Sequence, residues 1–241
     1  MRDALTLHTA VVPHLLRVVP RMPLALGAGP ALAICALPLV LSTGLQPSDA
    51  ALLLRISAVL CVVPAAFALD DPAATTTAAL PFPQAVRRSL RLALLCVPLA
   101  VIWTACGLLL KAAMNPDDRV ALPLAELCLE ALALGAATIL LAVLGLRLSG
   151  GERGSTLAAP GSVLLPLVLV LSPGRERLFA VPHSASWDAS RWVWASALVV
   201  TAAITAVLLR EQRPTGQHRH SAGHDAPDSS LSGDPHEAIR P

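Results

Sequence analysis

The chain has no tyrosine, and aromatic residues make up only 3% of its 241 positions. Lysine occurs once, at Lys111, and charged residues of all kinds reach just 14%. Soluble domains usually carry about 25% charged residues. These scarcities exclude an ordinary soluble surface. No Lys/Arg block lies beside an aromatic stretch and the net charge is only +2, so nucleic acid is set aside as a partner.

Other absences narrow the chemistry. The five cysteines, Cys35, Cys61, Cys96, Cys106 and Cys128, are odd in number and all sit inside apolar runs. There is no CxxC and no Cys/His zinc spacing, so these residues read as small apolar packing groups. No GxxxxGK[ST] phosphate-binding loop occurs; the run from Gly150 to Thr156 lacks both its spacing and its lysine. Neither HExxH nor GxSxG is present. Asp70 and Asp71 have no second acidic cluster nearby to complete a magnesium–diphosphate site. No cofactor and no covalent chemistry are expected. The first 23 residues lack a signal-peptide layout, because Pro13, Pro20 and Arg21 break the first apolar stretch.

What is abundant is apolar: 55% of residues are hydrophobic and the mean hydropathy is +0.65. That much apolar surface cannot be hidden inside 25.0 kDa, so lipid is its natural solvent. A spanning helix needs about 20 mostly apolar residues. Six stretches qualify or nearly qualify, roughly Leu24–Leu41, Ala50–Leu69, Leu90–Ala112, Pro123–Leu148, Thr156–Leu171 and Ala189–Leu209. The fifth is short and holds Pro160, Gly161 and Pro166, so a kinked or re-entrant helix is an alternative there. The expected fold class is all-α, a polytopic membrane bundle of six transmembrane helices. Its divisions are an N-terminal segment over 1–23, the helical domain over 24–213 and a tail over 214–241.

Loop charge gives the orientation. With the N-terminus inside, twelve Arg residues fall on the cytoplasmic side. Five Lys or Arg residues (Lys111, Arg119, Arg175, Arg177 and Arg191) fall outside. Both termini are therefore expected in the cytoplasm. Ahead of the first span, Leu5, Val12, Leu15, Leu16 and Val19 recur at near-helical spacing among His8, His14, Arg17 and Arg21. They predict an amphipathic helix on the inner leaflet, with a loose arm broken by Pro13 as the alternative. The tail from Pro214 onward is rich in Ser, Gly, Asp, Pro and His and is too polar to bury a core.

Three charges fall where charge is costly. Arg55 lies in the second span, and Glu126 and Glu130 lie in the fourth, four residues apart and so on one face. All three are at similar depth from the outer side. An unpaired charge at the centre of a membrane helix costs roughly 2.5–3.5 kcal/mol on insertion scales. Mutual pairing of Arg55 with Glu126 and Glu130 is the expected solution, serving either as a packing clamp or as a polar site for substrate or protons.

The second notable segment joins the second and third spans. Asp70 and Asp71 end a helix, and Pro72 with Thr75, Thr76 and Thr77 suits the start of a short new one. Leu80 and Phe82 supply apolar contacts around Pro81, and Arg87, Arg88 and Arg91 then anchor at the headgroups. An ordinary loop with positive-inside anchors is the simpler reading of the same residues.

This layout resembles the ABC-2-type transporter permeases, the membrane subunits of bacterial exporters. The resemblance rests on six spans, an interfacial helix before the first, and a first cytoplasmic loop that here reads Asp70/Asp71, Thr75/Thr76, Leu80, Pro81 and Arg87/Arg88. The family's Gly is missing from this loop, and Pro83 adds a second break. By layout the resemblance covers about residues 5–210, and by motif about 70–91. It implies a bacterial plasma-membrane protein that performs no catalysis itself. It implies a coupling helix in that loop, a separate ABC ATPase subunit, a homodimer or heterodimer of permeases, and a re-entrant region over Arg175–Ser186. A membrane-embedded enzyme acting on lipid-linked substrate through Glu126 and Glu130 is one alternative, and a non-transporting membrane scaffold is another.

Overall fold

The computed structural model describes residues 21–67, 70, 84–149 and 153–210; for Arg21 and residues 84–91 only the backbone is described. Every regular element among the described residues is helical. In chain order these are α1 (Arg21–Val40), α2 (Pro47–Val62) with a 3₁₀ extension (Val63–Phe67), α3 (Gln84–Ala113), a 3₁₀ turn (Pro116–Ala121), α4 (Leu124–Leu148), α5 (Ser155–Leu171), the single turn α6 (Arg175–Leu178), and α7 (Trp187–Arg210). Five segments are long and apolar enough to cross a membrane: Met22–Val40, Pro47–Phe67, Leu92–Ala113, Leu124–Leu148 and Trp187–Arg210. At about 1.5 Å per residue, the 25 residues of α4 reach about 37 Å against a hydrocarbon core of about 30 Å, whereas the 17 of α5 reach about 26 Å.

The sequence sets several boundaries directly. Pro47 opens α2, where a missing N–H costs nothing, and Asp49 lies in its first turn at the positive end of the dipole. The α-helix ends at Val62, just before Pro64. Pro64 has no N–H for the Leu60 carbonyl, so the chain tightens into 3₁₀ geometry. That carbonyl faces α1 at Gly27, where an added Cβ would lie 2.5 Å from the Leu60 oxygen and 2.7 Å from the Pro64 ring. Only glycine lets α1 and α2 approach this closely. The helical backbone of α3 starts at Gln84, directly after Pro83 and six residues before the apolar run at Leu90. Arg87 and Arg88 thus belong to a helix rather than to a loop.

Helix α2 is the hub, packed against α1, α3, α4 and α5, while α4 also packs on α5 and α7. The largest core cluster joins α1, α2 and α3 through Ala31, Cys35, Leu54, Cys61, Cys106 and Leu110. All five cysteines are free thiols, and Cys35, Cys61 and Cys106 are buried. A second cluster, Ala66, Ala142, Val143, Leu146 and Ala158, seals the junction of α4 with α5.

The connections sort to two ends of the bundle. Leu45, after α1, bridges Met114, after α3. His183, after α5, lies 3.2 Å from the Ala121 carbonyl in the connection after α3. At the other end, Asp70, after α2, meets Gly154 and Ser155 before α5. There also Arg147, near the end of α4, donates to the Leu208 carbonyl near the end of α7 at 2.5 Å. Helix α5 starts at one end and finishes at the other. It is continuous through Pro160 and Pro166, although each removes one donor from its hydrogen-bond ladder.

The expected amphipathic helix over the first residues and the tail from 214 onward lie outside the described residues.

Candidate functional site

Arg55 sits two turns into α2 with its side chain 15% exposed, and Glu130 sits two turns into α4 with its side chain 3% exposed. The α2–α4 contact brings them together as a two-pronged pair. Arg55 Nε donates to Glu130 Oε2 at 2.8 Å, and Nη2 donates to Oε1 at 3.0 Å. The planar guanidinium fork matches both carboxylate oxygens, which a lysine ammonium could not do. Arg55 also donates to the carbonyls of Ala180 at 2.9 Å and Phe179 at 3.4 Å, and its guanidinium carbon stands 5.5 Å from the Phe179 ring centre.

A second guanidinium completes the cluster. Arg191 Nη2 donates to Glu130 Oε1, and Nη1 donates to the Glu126 backbone carbonyl at 2.7 Å. Its guanidinium carbon lies 4.0 Å from the Trp187 ring centre, within cation–π range. Glu130 therefore lies between two cations and both its oxygens are engaged. The Glu126 carboxylate does not pair with Arg55; it accepts from the Trp187 indole N–H. The expected three-member cluster is thus a four-member one, in which Glu126 is held through Trp187 and the backbone.

The connection after α5 roofs this site. Its carbonyls would be costly to bury unpaired in an apolar bundle. Leu178 accepts from Ser190 Oγ at 2.7 Å and from Trp194 Nε1 at 2.8 Å, and Phe179 and Ala180 accept from Arg55. Trp194 also packs on Phe179, with ring centres 5.6 Å apart. The segment 178–180 is thus held from α2 and α7 together. His183 completes its turn with a φ of 64°, a left-handed conformation that few non-glycine residues adopt.

Beside the pair lies a cavity of about 120 Å³ between α2, α4 and α5. Arg55 and Glu130 are the charged residues of its wall, and apolar side chains such as Leu52, Ile56, Leu134, Pro166 and Val170 form the rest.

At the opposite end, Asp70 Oδ1 accepts from the backbone N–H groups of Gly154 at 2.8 Å and Ser155 at 3.0 Å. Its own N–H bonds the Phe67 carbonyl at 3.2 Å. Asp70 therefore caps the N-terminus of α5, where unpaired N–H groups and the helix dipole favour a carboxylate. The sequence places the same residue at the close of one helix and near the start of a local one. The cap on α5 comes from tertiary contact. Asp71, Thr75, Thr76, Leu80 and Pro81 lie outside the described residues, and Arg87 and Arg88 are described only as helical backbone of α3.

Arg191 is the site residue that sequence reasoning missed. Counted as an outer-loop charge, it is 13% exposed inside the cluster. The available signal was its spacing of four from Trp187, which puts a cation and an aromatic on one helix face. Among the described residues no group of three or more His, Cys, Asp or Glu could hold a metal ion. Comparison with protein-family models, with curated proteins and with solved structures finds no match to this chain in any of the three.

Proposed function

We propose that the chain is the membrane permease subunit of an ATP-binding-cassette exporter. It crosses the bacterial plasma membrane six times with both termini in the cytoplasm, and an interfacial helix precedes the first span. It works with a separate ATPase subunit and a second permease chain. Helix α5 is the sixth crossing. That count is supported by the alternation of connections between the two ends, and by α5 meeting Asp70 at one end while the chain beyond it meets Arg55 at the other.

The observation that carries the reading is the Asp70 cap. In the resembled family the loop beginning here docks on the ATPase. In this chain the root of that loop is tied to α2 through the 3₁₀ extension and to α5 through the Asp70 carboxylate. A push on residues 71–83 would therefore reach two helices of the bundle directly. The charge cluster supports a clamp rather than an acid–base site, because both oxygens of Glu130 are occupied by guanidinium donors. On this reading Arg55, Glu130 and Arg191 hold the far ends of α2, α4 and α7 as one unit while the loop end moves.

The test is co-purification. The tagged full-length chain, expressed in its own host, retains an ABC ATPase on affinity capture. Deletion of residues 75–82 releases it while the permease still purifies as a monodisperse species. An ATPase retained after that deletion contradicts the coupling assignment. Turnover of a lipid-linked substrate by the purified chain alone contradicts the transporter reading.

A further inference from the structure

The cavity beside the charge cluster opens on the outer surface of the bundle. Leu52, Ile56 and Val170, all on its wall, are 55%, 41% and 44% exposed, while Leu134 and Pro166 close its back. In a chain that spans a bilayer, this face meets hydrocarbon. The volume of about 120 Å³ is a little below the roughly 150 Å³ that holds one benzene, so it accepts a segment of a single chain and no bulkier group. Val170 lies one residue from the end of α5, and Phe179, also on the wall, follows α6. Between them the chain presents Arg175 and Arg177, both exposed, with Glu176 as the one acid. Apart from Arg55 and Glu130 the slot is lined by apolar side chains, and the chain that links two of its wall residues, Val170 and Phe179, carries two exposed arginines against one acid.

We infer that this slot is a lipid site, taking one acyl chain of an anionic phospholipid whose phosphate meets Arg175 and Arg177. Charge complementarity with these arginines sets the headgroup. The small volume, with room for part of one chain, sets the tail. The inference needs only that the helices cross a bilayer; it does not depend on export.

Bromine on an acyl chain quenches nearby indole emission, and Trp194 packs on Phe179 in the wall of the slot. The full chain carrying Trp103→Phe and Trp192→Phe is reconstituted in phosphatidylcholine vesicles. Either brominated phosphatidylglycerol or brominated phosphatidylcholine is then added at equal mole fraction. The expected result is a several-fold lower half-quenching mole fraction for the anionic lipid. That preference is lost in Arg175→Gln/Arg177→Gln, which alters only exposed side chains, and in Val170→Phe, which fills the slot. Equal quenching by the two lipids overturns the site and leaves ordinary lipid contact. Preference that survives the double arginine change overturns the headgroup assignment, and preference that survives Val170→Phe overturns the slot as the chain's seat.

Discussion

Asp70 and Gly154, 84 residues apart in sequence, are joined by a 2.8 Å hydrogen bond from the Gly154 N–H to the Asp70 carboxylate. The same oxygen accepts from Ser155 at 3.0 Å, so one side chain ties the exit of α2 to the entry of α5. Gly154 is needed there, because an added Cβ would lie 2.7 Å from the Ala142 carbonyl of α4. The consequences of this contact, and of the charge cluster at the opposite end, can be measured separately.

Loss of an N-terminal cap costs about 1 kcal/mol. Asp70→Ala should lower the unfolding free energy in mixed micelles by about that amount. Asp70→Asn keeps an acceptor at the helix end and should recover most of the loss, leaving a few tenths of a kcal/mol for the missing dipole interaction. If both substitutions behave like wild type, the cap contributes nothing to stability.

The clamp predicts non-additivity. Arg55→Ala leaves Glu130 buried with one guanidinium and should cost about 3 kcal/mol, the low end for breaking a buried pair because Arg191 still pairs. Glu130→Ala leaves two cations without their shared anion and should cost at least as much. The double mutant should lose less than the sum by about 0.5–3 kcal/mol. Simple addition of the single losses would show that the two side chains do not interact energetically.

Two glycines of α1 make a sharper contrast. Gly27→Ala puts a Cβ against the Leu60 carbonyl and the Pro64 ring, and should cost about 1–3 kcal/mol as overpacking. Gly29→Ala meets nothing within 4 Å and should stabilise the helix by a few tenths of a kcal/mol, up to about 1. Equal effects in thermal unfolding of the two variants would mean that α1 and α2 do not approach at Gly27.

Much of this architecture is readable from the sequence because burial of charge and of backbone in lipid is so costly. Arg55 and Glu130 stand out as charges inside apolar runs, and they meet. The spacing of four puts Glu126 on one helix face with Glu130, but Glu126 lies in the first turn of α4 and is exposed, so a nearby indole rather than Arg55 takes it. Arg191 was hidden because its position near the start of an apolar helix looks like that of any interfacial arginine. The partners of Asp70, and the Phe179 and Ala180 carbonyls on Arg55, are backbone groups, which carry no residue-type signature at all. The span count is harder. The length and prolines of α5 argue locally against a crossing, and only the contacts at its two ends argue for one.

That count decides whether the C-terminus shares a side with the N-terminus and the Asp70 loop, as the six-span permease reading requires. The most direct measurement is cysteine accessibility in intact cells. Single cysteines are introduced at Ser42, Ser149 and Ser184 in a variant whose five native cysteines are replaced by alanine or serine. A membrane-impermeant maleimide is then applied before and after permeabilisation. Six crossings predict that positions 42 and 184 label in intact cells and that position 149 labels only after permeabilisation. Labelling of 184 together with 149, and apart from 42, would mean that α5 turns back, and would contradict the account.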